Sequence, residues 1–226
     1  MVLLAIDTAT PTTTVAVADD TTVLATGSQV DGRRHAEILA PMIADVLGRA
    51  SVRPSDLDRI VVGVGPGPFT GLRVGLATAL ALGDALDRPV LGVVTLDVIA
   101  EQSTGPVPVE SAGPLVVATD ARRKEVFWAV YEQGRRVVGP AVDPPGLVAD
   151  RHPHQRIAGE GAQTYASVFE AAGCTVVEPA FPSAAVLATL TLRRLTQGIG
   201  FEPVEPLYLR RPDVSPPTPR KPVTPP

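Results

Sequence analysis

Residues 60–75 read IVVGVGPGPFTGLRVG, an apolar run that enters a turn of glycines and prolines, where backbone N–H groups can hold a phosphate. A Walker loop needs G-x-x-x-x-G-K-[ST]. Thr70 stands five positions after Gly65, Leu72 five after Gly67, and no lysine follows. The dinucleotide pattern G-x-G-x-x-G fails at Thr70 as well, and Val90 to Val94 offer no carboxylate for a ribose. Two readings stay open: a helix-capping turn with Thr70 as N-cap, or a backbone cradle for an anion.

Other chemistry-bearing residues are few. His35 has Leu39, not histidine, one helical turn on, and His152 and His154 sit in the polar stretch DRHPHQR without supporting carboxylates or thiols. No metal site is expected. The single cysteine, Cys174, excludes an internal disulfide and fits a reducing cytoplasm. In DARRKEVFWAVY, Arg122, Arg123 and Lys124 lie between Asp120 and Glu125; such a run is either a solvated hairpin edge or a contact for nucleic-acid phosphates or a partner.

The elements that must position these residues follow from periodicity. Residues 2–7, 12–19 and 22–29 are β-rich runs with short breaks, the pattern of an antiparallel meander. Residues 35–49 keep helical spacing through Ile38, Leu39, Met42, Ile43, Val46 and Leu47, with Pro41 either kinking the helix or starting its main part. Residues 58–65 and 88–94 read as buried parallel strands joined by a helix over 71–86. After a loop rich in Pro, Gly and Ser at 103–114, a second half repeats strand, strand and hairpin return, with helices near 162–173 and 183–195. The expected fold is α/β, with lobes at 1–104 and 105–211 and a proline-rich, disordered tail at 212–226 that is inert or a ligand for a proline-reading domain.

With 226 residues, 45% hydrophobic and 19% charged, and a net charge of -4, the chain reads as an ordinary soluble protein not built to grip nucleic acid alone. No signal peptide and no membrane span are expected, because Asp7 interrupts the N-terminal run and no uninterrupted apolar stretch is long enough. The helix over 71–86 is polar only at Arg73, Thr78 and Asp84, so part of its circumference needs a cover that one sheet does not supply. Gly75, Ala79 and Gly83 recur every four residues, as do Ala36, Ala40 and Ala44 on the preceding helix. Such rows fit under a sheet or against another helix.

AIDTAT at the first strand, HAEILAP on the first helix, GVGPGPFTGLRVGLATA at the turn, DARRKEVFWAVY in the second half and EPLYLR near the end together resemble the bacterial TsaB (YeaZ) family. The resemblance covers about the whole folded chain. It implies the two-lobed fold of actin, sugar kinases and Hsp70-type ATPases (ASKHA). It also implies a non-catalytic partner of TsaD in making threonylcarbamoyladenosine (t6A) in tRNA, where TsaD transfers threonylcarbamoyl to the adenosine beside the anticodon.

TsaD-like proteins carry P-x-x-x-V-x-H-x-x-G-H, whose histidines bind the metal; the matching stretch from Pro89 has Thr95 and Ile99 at those places. Kinases of the fold hold the magnesium of ATP at the position of Asp7, and Thr8 and Thr10 resemble their first phosphate loop. A turn-capping carboxylate is the other reading of Asp7. In the second loop Glu160 separates Gly159 from Gly161 and places a carboxylate where a phosphate would approach. The resemblance therefore implies no tightly bound cofactor in the chain alone, with ATP or ADP only in the assembled complex. It implies pairing with TsaD through the N-terminal helices, by way of Ala36, Ala40, Ala44, Arg73, Gly75, Ala79 and Gly83. A TsaE-type ATPase would join that pair, tRNA would be met through the complex, and the chain alone would self-associate as a homodimer. An active small-molecule kinase and a metallopeptidase are the competing readings.

Overall fold

The computed structural model describes residues 1–104 and 113–210; the tail expected at 212–226 lies outside the described residues. Strands β1 (Leu3–Asp7), β2 (Thr12–Ala18) and β3 (Val23–Val30) form the expected meander. Helix α1 (His35–Ala50) leads to β4 (Arg59–Gly63), α2 (Phe69–Leu86), β5 (Val90–Val93) and α3 (Thr95–Thr104). β1, β4 and β5 pair in parallel, and the sheet order is β3-β2-β1-β4-β5.

The second sheet repeats this plan. It is built from β6 (Leu115–Asp120), β7 (Val126–Glu132), β8 (Arg135–Asp143), β9 (Arg156–Ala158) and β10 (Thr175–Val177), in the order β10-β9-β6-β7-β8. Helices α4 (Pro145–Arg151), α5 (Glu160–Thr164) and α6 (Ala166–Ala171) belong to it, and α7 (Ala184–Gln197) follows. Matching β1 with β6, β2 with β7 and so on gives one topology used twice.

The first sheet is covered on both faces, which is why β1 and β4 are continuous apolar runs. Leu4 and Ile6 face Leu39, Ile43, Leu72 and Leu76 of α1 and α2, while Leu3 and Ala5 face Ala184, Leu187 and Ala188 of α7. This corrects the expected boundaries. Residues 184–209 sit with the first lobe: α7 fills the second face of its sheet, Glu202 bridges Gly92, and the Leu207 amide donates to the Val64 carbonyl. Pro41 stays inside α1 on its exposed side, so the carbonyl it leaves without a helical donor belongs to the exposed Glu37.

α2 begins at Phe69, earlier than expected, because the Pro68 carbonyl accepts the Leu72 amide; Thr70 lies within the first turn and is not the cap. By length and composition α2 is apolar enough to cross a membrane, yet Leu72, Leu76 and Ala79 are buried against the sheet.

α3 wedges the lobes together. Its Leu96, Ile99 and Ala100 share one core with Val117, Ala129 and Tyr131 of the second sheet. At its start the buried Asp97 accepts the Tyr131 hydroxyl at 2.8 Å and the Arg194 guanidinium at 2.8 Å, with Arg136 at 3.5 Å. Arg136 also reaches Glu202 at 3.0 Å. The desolvated carboxylate is thus fully paired, which is the condition under which burial of a charge is tolerated.

Candidate functional site

The turn after β1 is closed. Asp7 is fully buried; one carboxylate oxygen accepts the Ala9 amide at 2.8 Å and the other accepts the Thr95 hydroxyl at 2.9 Å. A methyl group at Gly63 would overlap that carboxylate at 2.0 Å, so the strand lies directly over it. Burial lifts the Asp7 carboxyl to about 6, against the opposing pull of the Ala9 and Thr95 donors. Thr8 donates its hydroxyl to the Gly71 carbonyl at 2.8 Å and accepts the Gly75 amide at 3.0 Å, entering the helix between residues i and i+4. Thr10 accepts the Thr12 amide. With these polar atoms used inside the lobe, Asp7, Thr8 and Thr10 do not fit a nucleotide and its magnesium in this geometry.

The glycine turn is closed in the same way. A Cβ at Gly67 would stand 2.0 Å from the Ala9 carbonyl oxygen, so the turn packs backbone to backbone on the β1–β2 connection. An anion cradle would present N–H groups there; this contact presents a carbonyl.

The positions matched to the TsaD histidines are also spent. Thr95 binds Asp7, and Ile99 is fully buried in the core. Among the described residues no group of three or more His, Cys, Asp or Glu side chains converges. His35 is buried with Nδ1 2.7 Å from the Thr13 hydroxyl, and burial lowers its pKa.

The small-residue rows divide. Ala36, Ala40 and Ala44 lie on the exposed side of α1. Gly75, Ala79 and Gly83, expected on the partner-facing side, are buried: an added methyl would stand 2.4 Å from Thr8 Oγ1 at Gly75 and 2.4 Å from Val90 at Gly83. That row admits the end of β1 and the start of β5 beneath α2 and is not available to a partner. The outer side of α2 carries Arg73, Ala77, Leu80 and Ala81, with Leu80 47% exposed.

Between the lobes lies a cavity of about 440 Å³. Pro68 and Phe69 come from the α2 turn, Arg122, Arg123 and Phe127 from the β6–β7 hairpin, and Leu207 to Arg210 from the last described segment. Phe69 and Tyr208 stack with centroids 5.3 Å apart. Arg73 lies 3.6 Å above the Phe69 ring and donates to the Tyr208 hydroxyl at 2.7 Å. Arg73 is therefore engaged within its own chain.

Arg122, Arg123 and Lys124 all have left-handed backbone, with φ of 60, 55 and 61°. Three such residues in succession cost about 1–2 kcal/mol each. Asp120 offsets part of that by accepting the Arg122 amide at 2.9 Å, and the side chains of all three point into solvent or the cavity rim. Beside them, burial and the Asp120 charge push Glu160 up to about 7, with Arg122 opposing. The cavity gathers residues that sequence spacing kept apart. Phe69 and Tyr208 stand 139 positions apart, which hid their stack, and Phe127 read only as a strand residue.

Fold and site define a two-lobed α/β protein with the fold of actin, sugar kinases and Hsp70-type ATPases, whose turn after β1 is closed by its own side chains. The family model "TsaD: tRNA N6-adenosine threonylcarbamoyltransferase" matches residues 28–193. The solved YeaZ of Pseudomonas aeruginosa is 32% identical, with a TM-score of 0.76, covering 92% of this chain and all of its own. An uncharacterized protein of Mycobacterium tuberculosis strain H37Rv is 45% identical over 95% of this chain and 94% of its own length. The tRNA threonylcarbamoyladenosine biosynthesis protein TsaB of Escherichia coli K12 is 29% identical over 93% and 95%. The chain belongs to the TsaB (YeaZ) family.

Proposed function

We propose that this chain is the non-catalytic subunit of the assembly that makes t6A, transferring threonylcarbamoyl to N6 of the adenosine next to the tRNA anticodon in the cytoplasm. It pairs with a TsaD-type catalytic subunit through the outer faces of α1 and α2. The observation that carries this reading is the exposed row Ala36, Ala40 and Ala44 on α1 together with exposed Leu80 and Ala81 on the outer side of α2, small and apolar positions that leave room for a partner's helices. The same surface pairs with a second copy when the chain is alone.

The lack of chemistry of its own is supported by the closed Asp7 turn and by Thr95 and Ile99 at the histidine places. A TsaE-type ATPase joins the pair, tRNA is met through the complex, and ATP or ADP binds only after assembly. An active kinase would need Asp7 to face a nucleotide, and its oxygens face Ala9 and Thr95 instead.

The test is a transfer assay on unmodified tRNA with the TsaD-type and TsaE-type subunits of the same organism. Product only when this chain is present, and none from this chain alone, is the expected result. Equal product without it would overturn the reading.

A further inference from the structure

The interlobe cavity has a chemistry that the helix-pairing reading does not use. It is concave, its volume falls within the roughly 300–1,000 Å³ of ligand sites, and its walls are mainly apolar. One rim is a ready-made stack: Phe69, 50% exposed, lies on Tyr208, 41% exposed, and Arg73 braces both. A flat, braced and exposed aromatic rim offers a further ring a face to stack on with little ordering to be done.

The opposite rim is cationic. The hairpin and the last segment bring Arg122, Arg123, Lys124 and Arg210 together with Asp120, Glu125 and Glu160, four basic against three acidic side chains in a chain whose net charge is -4. Arg210 is held by Glu125 and by the Ala121 carbonyl. Arg122 pairs with Asp120 at 3.4 Å, yet its side chain stays 66% exposed on a left-handed turn. An apolar and aromatic slot with a guanidinium at its mouth complements a planar base followed by a phosphate.

We infer that this cavity receives one unstacked nucleotide of single-stranded RNA, its base against Phe69, Tyr208 and Phe127 and its phosphate at Arg122. Stacking on aromatic and guanidinium planes is how unpaired RNA bases are bound, and paired bases in a duplex are not free to enter. The inference rests on the proposed function for the identity of the RNA, a tRNA anticodon loop. It does not involve Asp7, Thr8 or Thr10, none of which lines the cavity.

The experiment measures fluorescence anisotropy of a labelled anticodon stem-loop RNA with the full chain at low salt, with a fully paired hairpin and free AMP as competitors. Two variants are compared with the wild type. Phe69→Ala removes the exposed ring, and Arg122→Asn removes the charge while keeping a residue that tolerates left-handed backbone. Unchanged melting by circular dichroism establishes that both fold. The expected result is about a tenfold loss of affinity in each variant, from one base stack or one phosphate contact, and a shallower salt dependence for Arg122→Asn only.

Equal binding by wild type and both variants would overturn the inference, as would no binding by the wild type. Competition by AMP as strong as that by the stem-loop would overturn the RNA assignment, and equal competition by the paired hairpin would overturn the unstacked base. Association of the variants with the TsaD-type subunit is expected to be unchanged. Failure of the wild type to associate, with RNA binding intact, would count against the proposed function alone.

Discussion

The Thr8 hydroxyl accepts the Gly75 amide at 3.0 Å and donates to the Gly71 carbonyl at 2.8 Å, so one side chain from the end of β1 bridges two residues a helical turn apart on α2. The row of small residues on α2 is therefore the inner face of the helix, and only the row on α1 remains outside.

Gly75→Val is predicted to destabilise the isolated chain by about 1–3 kcal/mol, since its Cβ would lie 2.4 Å from Thr8 Oγ1. Urea unfolding measures it. A shift within experimental error would mean that Gly75 faces outward and that the bridge is misplaced.

Asp97→Asn leaves Arg194 and Arg136 without the carboxylate that neutralises them at the lobe junction, although Arg136 keeps Glu202. A loss on the order of 3 kcal/mol is expected, and about 1 kcal/mol for Tyr131→Phe, which removes one hydrogen bond. Both are read from denaturant midpoints, and an unchanged midpoint for Asp97→Asn would contradict a load at this joint.

Asp7 sets a pH dependence. Its folded pKa, about 6, lies above the ordinary 3.8, so between those values the folded state holds more protons than the unfolded chain. Its contribution is fully present below pH 3.8 and is lost as pH rises through 6, on the order of 3 kcal/mol in all. Glu160, pushed up to about 7 from 4.5, has the same sign over a higher window. Asp7→Asn keeps an acceptor for Ala9 and turns Thr95 into an acceptor, so its stability between pH 4 and 6 is predicted to decline less than that of the wild type. Equal slopes in urea unfolding across that range would show that Asp7 is not the group responsible.

Most of the fold was legible because β1, β2 and β4 are short β-rich runs bounded by turn signals and the two N-terminal helices keep helical spacing. α3 was not: residues 96 to 100 are buried between two sheets, so no polar face marks the helical period. The placement of α7 escaped for a different reason. Its amphipathic spacing states that one face is buried without stating which sheet buries it.

The candidate site was legible only in part. The turn at Gly67, the arginines at 122 and 123 and the segment EPLYLR were each visible, but their convergence on one cavity depends on the duplicated topology and on the return of residues 202–209 to β5 and the Val64 carbonyl. Small residues at a four-residue interval look alike whether they face a sheet or a partner. The burial of Gly75 and the exposure of Ala40 separate the two rows.

The central claim is that α1 and α2 pair with a TsaD-type subunit. Size-exclusion chromatography with light scattering tests it on the chain alone, on the chain mixed with that subunit, and on an Ala40→Arg variant whose exposed position should leave stability within about 0.5 kcal/mol of the wild type. The account predicts a mixed species with the wild type and none with Ala40→Arg; equal association of both would contradict it.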